Sequence, residues 1–351
     1  MYKIIDLFCG IGGFSYGFEM TKKFKTILGV DCWNVALETF KRNHSSTNII
    51  QSDIKELQED FWSNYIKKVD VIIAGPPCQG FSMSGKRDVL DERNNLFKEV
   101  LRIVKVVKPK VVVIENVLGL LSMTTPDGMY VKDEIEKELK EIGYTIAHKV
   151  LTASDFGVPQ NRKRVIFIGS LKNNLKFPVS QYGEGKKSVI TVGDALGNIP
   201  NSGKEYLEPR NDYQRMMSGR KNILNHEPIK HSDLIVKRMK CVPQGGNWQD
   251  IPLALGQGGG KHSNNYRRLK SDEPSITIKH VSKSMIIHPI YDRTPTVREV
   301  ARIQSFDDDF EFTGTKYDQH QQLANAVPPL LGKAIAENIL EMLGDYDVKN
   351  D

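Results

Sequence analysis

Short apolar runs alternate with amphipathic stretches through the first half of the chain. Tyr2 to Phe8, Thr26 to Val30, Asn48 to Gln51, Val69 to Ala74 and Lys110 to Ile114 are brief, mostly apolar and rich in β-branched residues. That pattern predicts strands of a parallel sheet covered on both faces. Helical spacing intervenes. From Asn94 to Val107 the apolar positions are Leu96, Phe97, Val100, Leu101, Val104 and Val107, one face of a helix that Pro109 ends. A helix is also predicted from about Lys132 to Glu141, and two more strands bracket Gln160 to Arg164, the second over Val165 to Gly169. From about Asn198 the pattern breaks into short segments rich in Gly, Asn and Gln. It recovers at Thr296-Val297-Arg298-Glu299, a capping box opening a helix through Ser305, and Leu330 to Leu343 is a last amphipathic helix. An α/β fold with a second, smaller domain is predicted.

Residues able to do chemistry gather where the predicted strands end. Gly75-Pro76-Pro77 stops the fourth strand with a stiff turn and leaves Cys78 just past its carboxyl end, the crevice where open α/β sheets bind ligands. A free cysteine is most often a small buried hydrophobe. This rigid setting, with Gln79 and Ser82 alongside, instead makes Cys78 a candidate nucleophile. Residues 83–93 are polar without period and read as a lid, with Ser84, Lys86, Arg87 and Arg93 placed to meet phosphates. Glu115 ends a run of valines at the same edge, where a carboxylate is costly without a partner or a task; a structural acid and a catalytic one are equally open. Cys9-Gly10-Ile11-Gly12-Gly13 joins strand to helix as in nucleotide-binding folds, but Ser15 stands where a dinucleotide fingerprint needs its third glycine. Asp31, ending the second strand, suits ribose hydroxyls, and Asp53 suits either an adenine amino group or a helix cap.

Composition narrows the class. A chain of 351 residues, 39% hydrophobic and 26% charged, can bury one large core. No apolar run approaches the ~20 residues of a spanning helix, and no signal-peptide pattern opens the sequence, so a cytoplasmic protein without a membrane partner is expected. The four cysteines, at 9, 32, 78 and 241, form no CxxC pair and predict neither a metal site nor a disulfide framework. The net charge of +6 is uneven: residues 171–290 carry +9 and the remainder −3. A localised positive surface suits a polyanion such as nucleic acid.

Six blocks point to a family. Asp6-Leu7-Phe8-Cys9-Gly10-Ile11-Gly12-Gly13-Phe14, Gly75-Pro76-Pro77-Cys78-Gln79-Gly80-Phe81-Ser82, Glu115-Asn116-Val117, Gln160-Asn161-Arg162-Lys163-Arg164, Arg298-Glu299-Val300-Ala301-Arg302-Ile303-Gln304-Ser305-Phe306 and Asn325-Ala326-Val327-Pro328-Pro329 resemble, in order, the signature blocks of cytosine-5 DNA methyltransferases of the bacterial restriction-modification type. The likeness spans nearly the whole chain except about 198 to 297, where that family places its variable target-recognition domain. It implies a Rossmann-like, S-adenosylmethionine-dependent sheet over 1–197, a target-recognition domain over 198–297 and a C-terminal segment, 298–351, returning to the catalytic domain. Two departures stand out: Asp307 where the family often has proline, and Ala324 where glycine usually precedes Asn-Ala-Val.

The resemblance also implies roles. Cys78 would attack cytosine C6, Glu115 would bond N3 and the exocyclic amine, and Arg164 would hold O2, with Arg162 of the same block joining the catalytic set. Phe8, Gly10, Gly12, Asp31, Asp53, Pro76, Asn325 and Val327 would bind S-adenosylmethionine. Gln79, Ser82, Ser84, Arg93, Arg267 and Arg268 would contact DNA, with Gln244, Asn247 and Gln257 further candidates for base reading. Double-stranded DNA is the implied partner, together with a cognate restriction endonuclease encoded nearby; the enzyme is expected to act as a monomer, on the nucleoid if bacterial. An RNA (tRNA) cytosine-5 methyltransferase on the same scaffold is the alternative, because the fold does not fix the polymer. The insert of roughly 100 residues favours duplex reading.

Overall fold

The computed structural model describes residues 1–77, 95–125, 127–256 and 263–347. It divides into two compact units, one of Met1–Thr152, Lys163–Val179 and Leu331–Asp351, the other of Ala153–Arg162 and Ser180–Leu330. The second unit is thus larger than the segment 198–297 marked off by the sequence pattern.

The first unit alternates strand and helix. β1 (Tyr2–Leu7), α1 (Gly13–Glu19), β2 (Phe24–Asp31), α2 (Asn34–Asn43), β3 (Asn48–Gln51), α3 (Glu59–Ser63) and β4 (Val71–Ala74) are followed by α4 (Leu96–Val107), β5 (Val111–Asn116), α5 (Val131–Glu141) and β6 (Thr145–Thr152). After β7 (Gln160–Asn161), which belongs to the second unit, the chain returns as β8 (Lys163–Ser170). The sheet order is β3-β2-β1-β4-β5-β8-β6. The first five of these strands pair in parallel, and β8 runs antiparallel to both neighbours. The α/β expectation holds, and its reason is visible: every residue of β4 and β5 is buried, as central strands covered on both faces must be. The helical face read from the sequence packs Phe97, Val100, Leu101 and Val104 into the same core as Ile5, Ile72 and Val112. Lys108, at φ 49°, ends α4 just before Pro109.

In the second unit, α6 (Val192–Leu196), α7 (Asp212–Met217), α8 (Asp233–Cys241), β9 (Ser275–Ile276), α9 (Val281–Ser284), α10 (Val297–Ile303) and α11 (Lys316–Asn325) are short pieces, and β9 pairs in parallel with β7. The last helix, α12 (Pro329–Asp347), lies mostly in the first unit. α10 opens with the predicted capping box: Thr296 N–H donates to Glu299 Oε2 at 2.7 Å and Glu299 N–H to Thr296 Oγ1 at 3.2 Å. All seven of its residues are buried, its three charges included. Glu299 receives both Nη atoms of Arg293 at 2.7 Å. Arg298 donates to the carbonyls of Leu224, Asp307 and Phe310. Arg302 donates to both oxygens of Asp308, at 2.7 and 2.6 Å, and to Ala195 O and Asn198 Oδ1.

A buried cation stripped of its carboxylate is far costlier than the pair is stabilising. Asp308→Ala should therefore destabilise the second unit by about 3–5 kcal/mol. Urea unfolding followed by tryptophan fluorescence measures it; a loss below about 1 kcal/mol, the size of a surface pair, would contradict the buried geometry.

Candidate active site

The residues gathered by the resemblance in the first unit lie at one edge of the sheet. Register places Leu7 opposite Val30 and Ala74, Asp31 opposite Gln51, and Ala74 opposite Ile114, so four parallel strands end level and β5 carries Glu115 and Asn116 just beyond. Phe8, directly after β1, has φ 58°, a conformation rarely adopted by a bulky residue, and packs partly against the core. Gly10 N–H donates to Asp31 Oδ2 and Trp33 N–H to Asp31 Oδ1, both at 2.8 Å. Burial pushes the Asp31 carboxyl above its usual range, partly offset by these amides. Among the described residues, a Cβ at Gly10 would meet nothing within 4 Å, so that face of the turn is open to them. Asp53 is exposed, and its Oδ1 accepts Lys55 N–H as the cap of the following turn; the capping role is realised by one oxygen, leaving Oδ2.

Glu115 is buried, and its Oε1 lies 2.8 Å from Arg164 Nε. Arg164 is the second residue of β8, antiparallel to β5, which brings the two side chains together. Gly75 adjoins the pair: a Cβ there would stand 3.9 Å from Glu115 Oε2. Asn116 Nδ2 donates to Pro76 O at 3.2 Å, fastening the Gly75-Pro76-Pro77 turn to the end of β5. Cys78, Gln79, Ser82, Ser84, Arg93 and Gln257 lie outside the described residues.

Sequence reasoning missed Asp6. It is buried in β1, its carboxyl is hydrogen-bonded to the Ser15 hydroxyl, and burial raises its pKa to about 8. The signal was Ser15 itself, a hydroxyl where the glycine pattern fails.

The remaining candidates belong to the second unit. Arg162 is buried and donates through Nη1 to Ala324 O at 3.2 Å. Asn325 is exposed at the end of α11 with its Oδ1 taking Gln321 Nε2, and Val327 is buried. Arg268 needs correction. It is buried, and its guanidinium donates to the carbonyls of Val242, Met239, His288 and Tyr291 and to Asp292 Oδ1, so no donor is left for DNA. Arg267 is half-buried. Asn247 spends its Oδ1 capping a short 3-10 turn, and Gln244 bonds Ser271 through both ends of its amide.

A model of the C-5 cytosine-specific DNA methylases matches residues 2–341. The chain belongs to that family. It is 41% identical over 346 residues to the Type II methyltransferase M1.HphI of Haemophilus parahaemolyticus, covering 96% of this chain and 86% of that relative. With M.DdeI of Desulfomicrobium norvegicum, another Type II methyltransferase, identity is 38% over 381 residues, covering 99% and 91%. A solved structure described as a DNA modification methyltransferase of an Escherichia coli prophage superposes with a TM-score of 0.79 at 25% identity, covering 98% of this chain and 100% of that one. The expectation of a DNA cytosine-5 methyltransferase of restriction-modification type is met. Among the described residues, no helix of this methylase is long and apolar enough to cross a membrane.

Asp6 gives a pH prediction. Its folded pKa, about 8, lies above the ~3.9 of an unfolded aspartate, so across that window the folded protein holds a proton that the unfolded chain releases. Its contribution to stability is full below the unfolded value and is lost as pH rises through the folded one. Asp6→Asn has no proton to lose, so its urea midpoint relative to wild type should climb between pH 5 and about pH 8 and level off above. A difference constant across that range would mean Asp6 is ionised in the fold.

Proposed function

We infer that this methylase transfers a methyl group from S-adenosylmethionine to C5 of a cytosine flipped out of a specific duplex DNA sequence. What carries the reading is the pairing of buried Glu115 with Arg164 beside Gly75, at the strand end that leads into Cys78. Cytosine C5 is a poor nucleophile. Addition of the Cys78 thiolate forms a sulfur bond to C6 and turns the ring into an enamine, while Glu115 gives a proton to N3 and Arg164 holds O2. S-adenosylmethionine supplies the electrophilic methyl group when bound. Loss of the C5 proton to water then returns the electron pair that expels the Cys78 thiolate, and the N3 proton goes back to Glu115. A free thiol with pKa ~8.5 is only slightly ionised at neutral pH, so the site must lower that value or take the proton during attack. None of this is possible inside a stacked duplex, and flipping costs on the order of a few kcal/mol, offset by protein contacts.

The residues present fit the cofactor. The open face of Gly10 would take its methionine part, Asp31 its ribose hydroxyls and Asp53 Oδ2 its adenine amino group, with Phe8, Gly12 and Pro76 completing the set in the first unit. Residues 198–297, inside the second unit, would read the DNA, with Arg267 rather than Arg268 among the candidates.

Bisulfite sequencing of host DNA after expression of the chain tests the reading. Methylation at one sequence context is expected; methyl groups found only in tRNA would put the RNA alternative in its place. Cys78→Ser should abolish transfer and leave S-adenosylmethionine binding nearly intact, because the proposed cofactor contacts lie on other residues. Retained turnover would remove Cys78 from its role. Glu115→Gln should lower kcat at least about 100-fold while DNA affinity falls far less. Equal losses in both would mark Glu115 as a structural acid.

A further inference from the structure

Gly10 and Gly12 both have positive φ, 52° and 82°, but their surroundings are opposite. Beyond Gly10 no atom of the described residues would lie within 4 Å of an added Cβ. Beyond Gly12 an added Cβ would collide with His44 Nε2 and lie 2.8 Å from His44 Cδ2 and 2.7 Å from Phe40 Cδ2. His44 is buried, follows the last residue of α2, and stacks on Phe40 with ring centroids 4.3 Å apart. Its Nδ1 is 2.8 Å from Glu19 Oε2, and Glu19 Oε1 accepts Thr26 N–H from β2. The ring is therefore anchored from α1, α2 and β2 at once. Its Nε2 is buried with no hydrogen-bond partner among the described residues, aimed at Gly12. Gly12 is where α1 begins: its N–H closes the turn on Cys9 O at 2.8 Å, and its carbonyl accepts Tyr16 N–H at 2.7 Å.

We propose that His44 is a positioning residue for S-adenosylmethionine: it backs the Gly10 to Gly12 turn from the protein side and holds the Gly10 face open toward the ligand. This rests on the cofactor reading above. Gly12 is then glycine because of His44 and Phe40, whereas Gly10 is glycine because of what approaches from outside. Neither a nucleophile nor a ligand contact is required of the imidazole. Its shape and its bond to Glu19 do the positioning.

The test is a rescue measured on the full chain by calorimetric titration with S-adenosylmethionine and by thermal melting. Gly12→Ala should weaken binding at least about tenfold, and adding His44→Ala should recover several-fold of that loss by vacating the imidazole's share of the space, the remainder being the Phe40 ring and the strain of alanine at positive φ. Gly10→Ala should also weaken binding, and His44→Ala should not rescue it. In turnover, His44→Ala should raise KM for S-adenosylmethionine more than it lowers kcat, which a loss of fold stability alone would not do. A double variant, Gly12→Ala with His44→Ala, that binds no better than Gly12→Ala overturns the proposal. If the glycine variants fail to fold, Glu19→Gln keeps the size and loosens the anchor of His44; unchanged affinity there overturns it equally. Failure of the wild-type chain to bind S-adenosylmethionine would instead refute the cofactor reading, and the proposal with it.

Discussion

In the parallel half of the sheet, backbone hydrogen bonds fix which residues end level: Gly75 N–H reaches Leu7 O, Cys9 N–H reaches Val30 O and Ser52 N–H reaches Asp31 O. Beyond that line the ladder stops, and each further amide needs another partner. Asp31 takes two of them, from Gly10 and Trp33, and Asn116 takes the Pro76 carbonyl. The same edge that satisfies backbone groups with side chains presents Glu115 and Arg164 together, because antiparallel β8 begins where β5 ends. Placement of the candidate chemistry is thus a consequence of strand register before it is a matter of any one side chain.

The second unit solves a different problem, since its charges are inside. Taking an ion out of water costs several kcal/mol, which attraction offsets only when the remaining hydrogen-bonding positions are also filled. α10 meets that condition residue by residue: Arg302 has a carboxylate and two oxygen acceptors besides, Arg298 has three carbonyls, and Glu299 has Arg293 and the Thr296 amide. The same unit also holds an apolar cluster of Met239, Val242, Ile251, Tyr266 and Ile287, and Phe306, Phe310 and Phe312 pack on one another. The satisfied polar network adds fixed directions to that apolar packing.

The sheet and α4 were legible because both depend on a period that the sequence writes out, and the Thr296 box because capping is local. Arg267 and Arg268 were not. In extended backbone, neighbouring side chains point to opposite sides, and Arg268 pairs as a bridge with Ile287, which turns its guanidinium inward. Composition counts both as cations able to meet DNA. The burial of Arg298, Glu299 and Arg302 was not legible either, because Val297, Val300, Ala301 and Ile303 fall on one face of the helix and the three charges on the other, the pattern of an ordinary amphipathic surface helix. His44 left no trace, since its contacts with Glu19 and Gly12 join residues far apart in sequence.

The two departures from the family pattern follow from the backbone they serve. Proline shapes a turn by fixing φ; Asp307 does so by hydrogen bonding, its Oδ1 accepting the amides of Asp309 and Phe310 at 3.2 and 3.1 Å. The carbonyls of Asp307 and Phe310 then both face Arg298, which donates to each at 2.6 Å. Ala324 lies inside α11, where alanine is favoured over glycine by about 1 kcal/mol and no positive φ is needed. What Arg162 requires of position 324 is a carbonyl, and any residue supplies one. At both places the demand falls on the main chain, so the side chain is free to differ as long as the turn and the helix are kept.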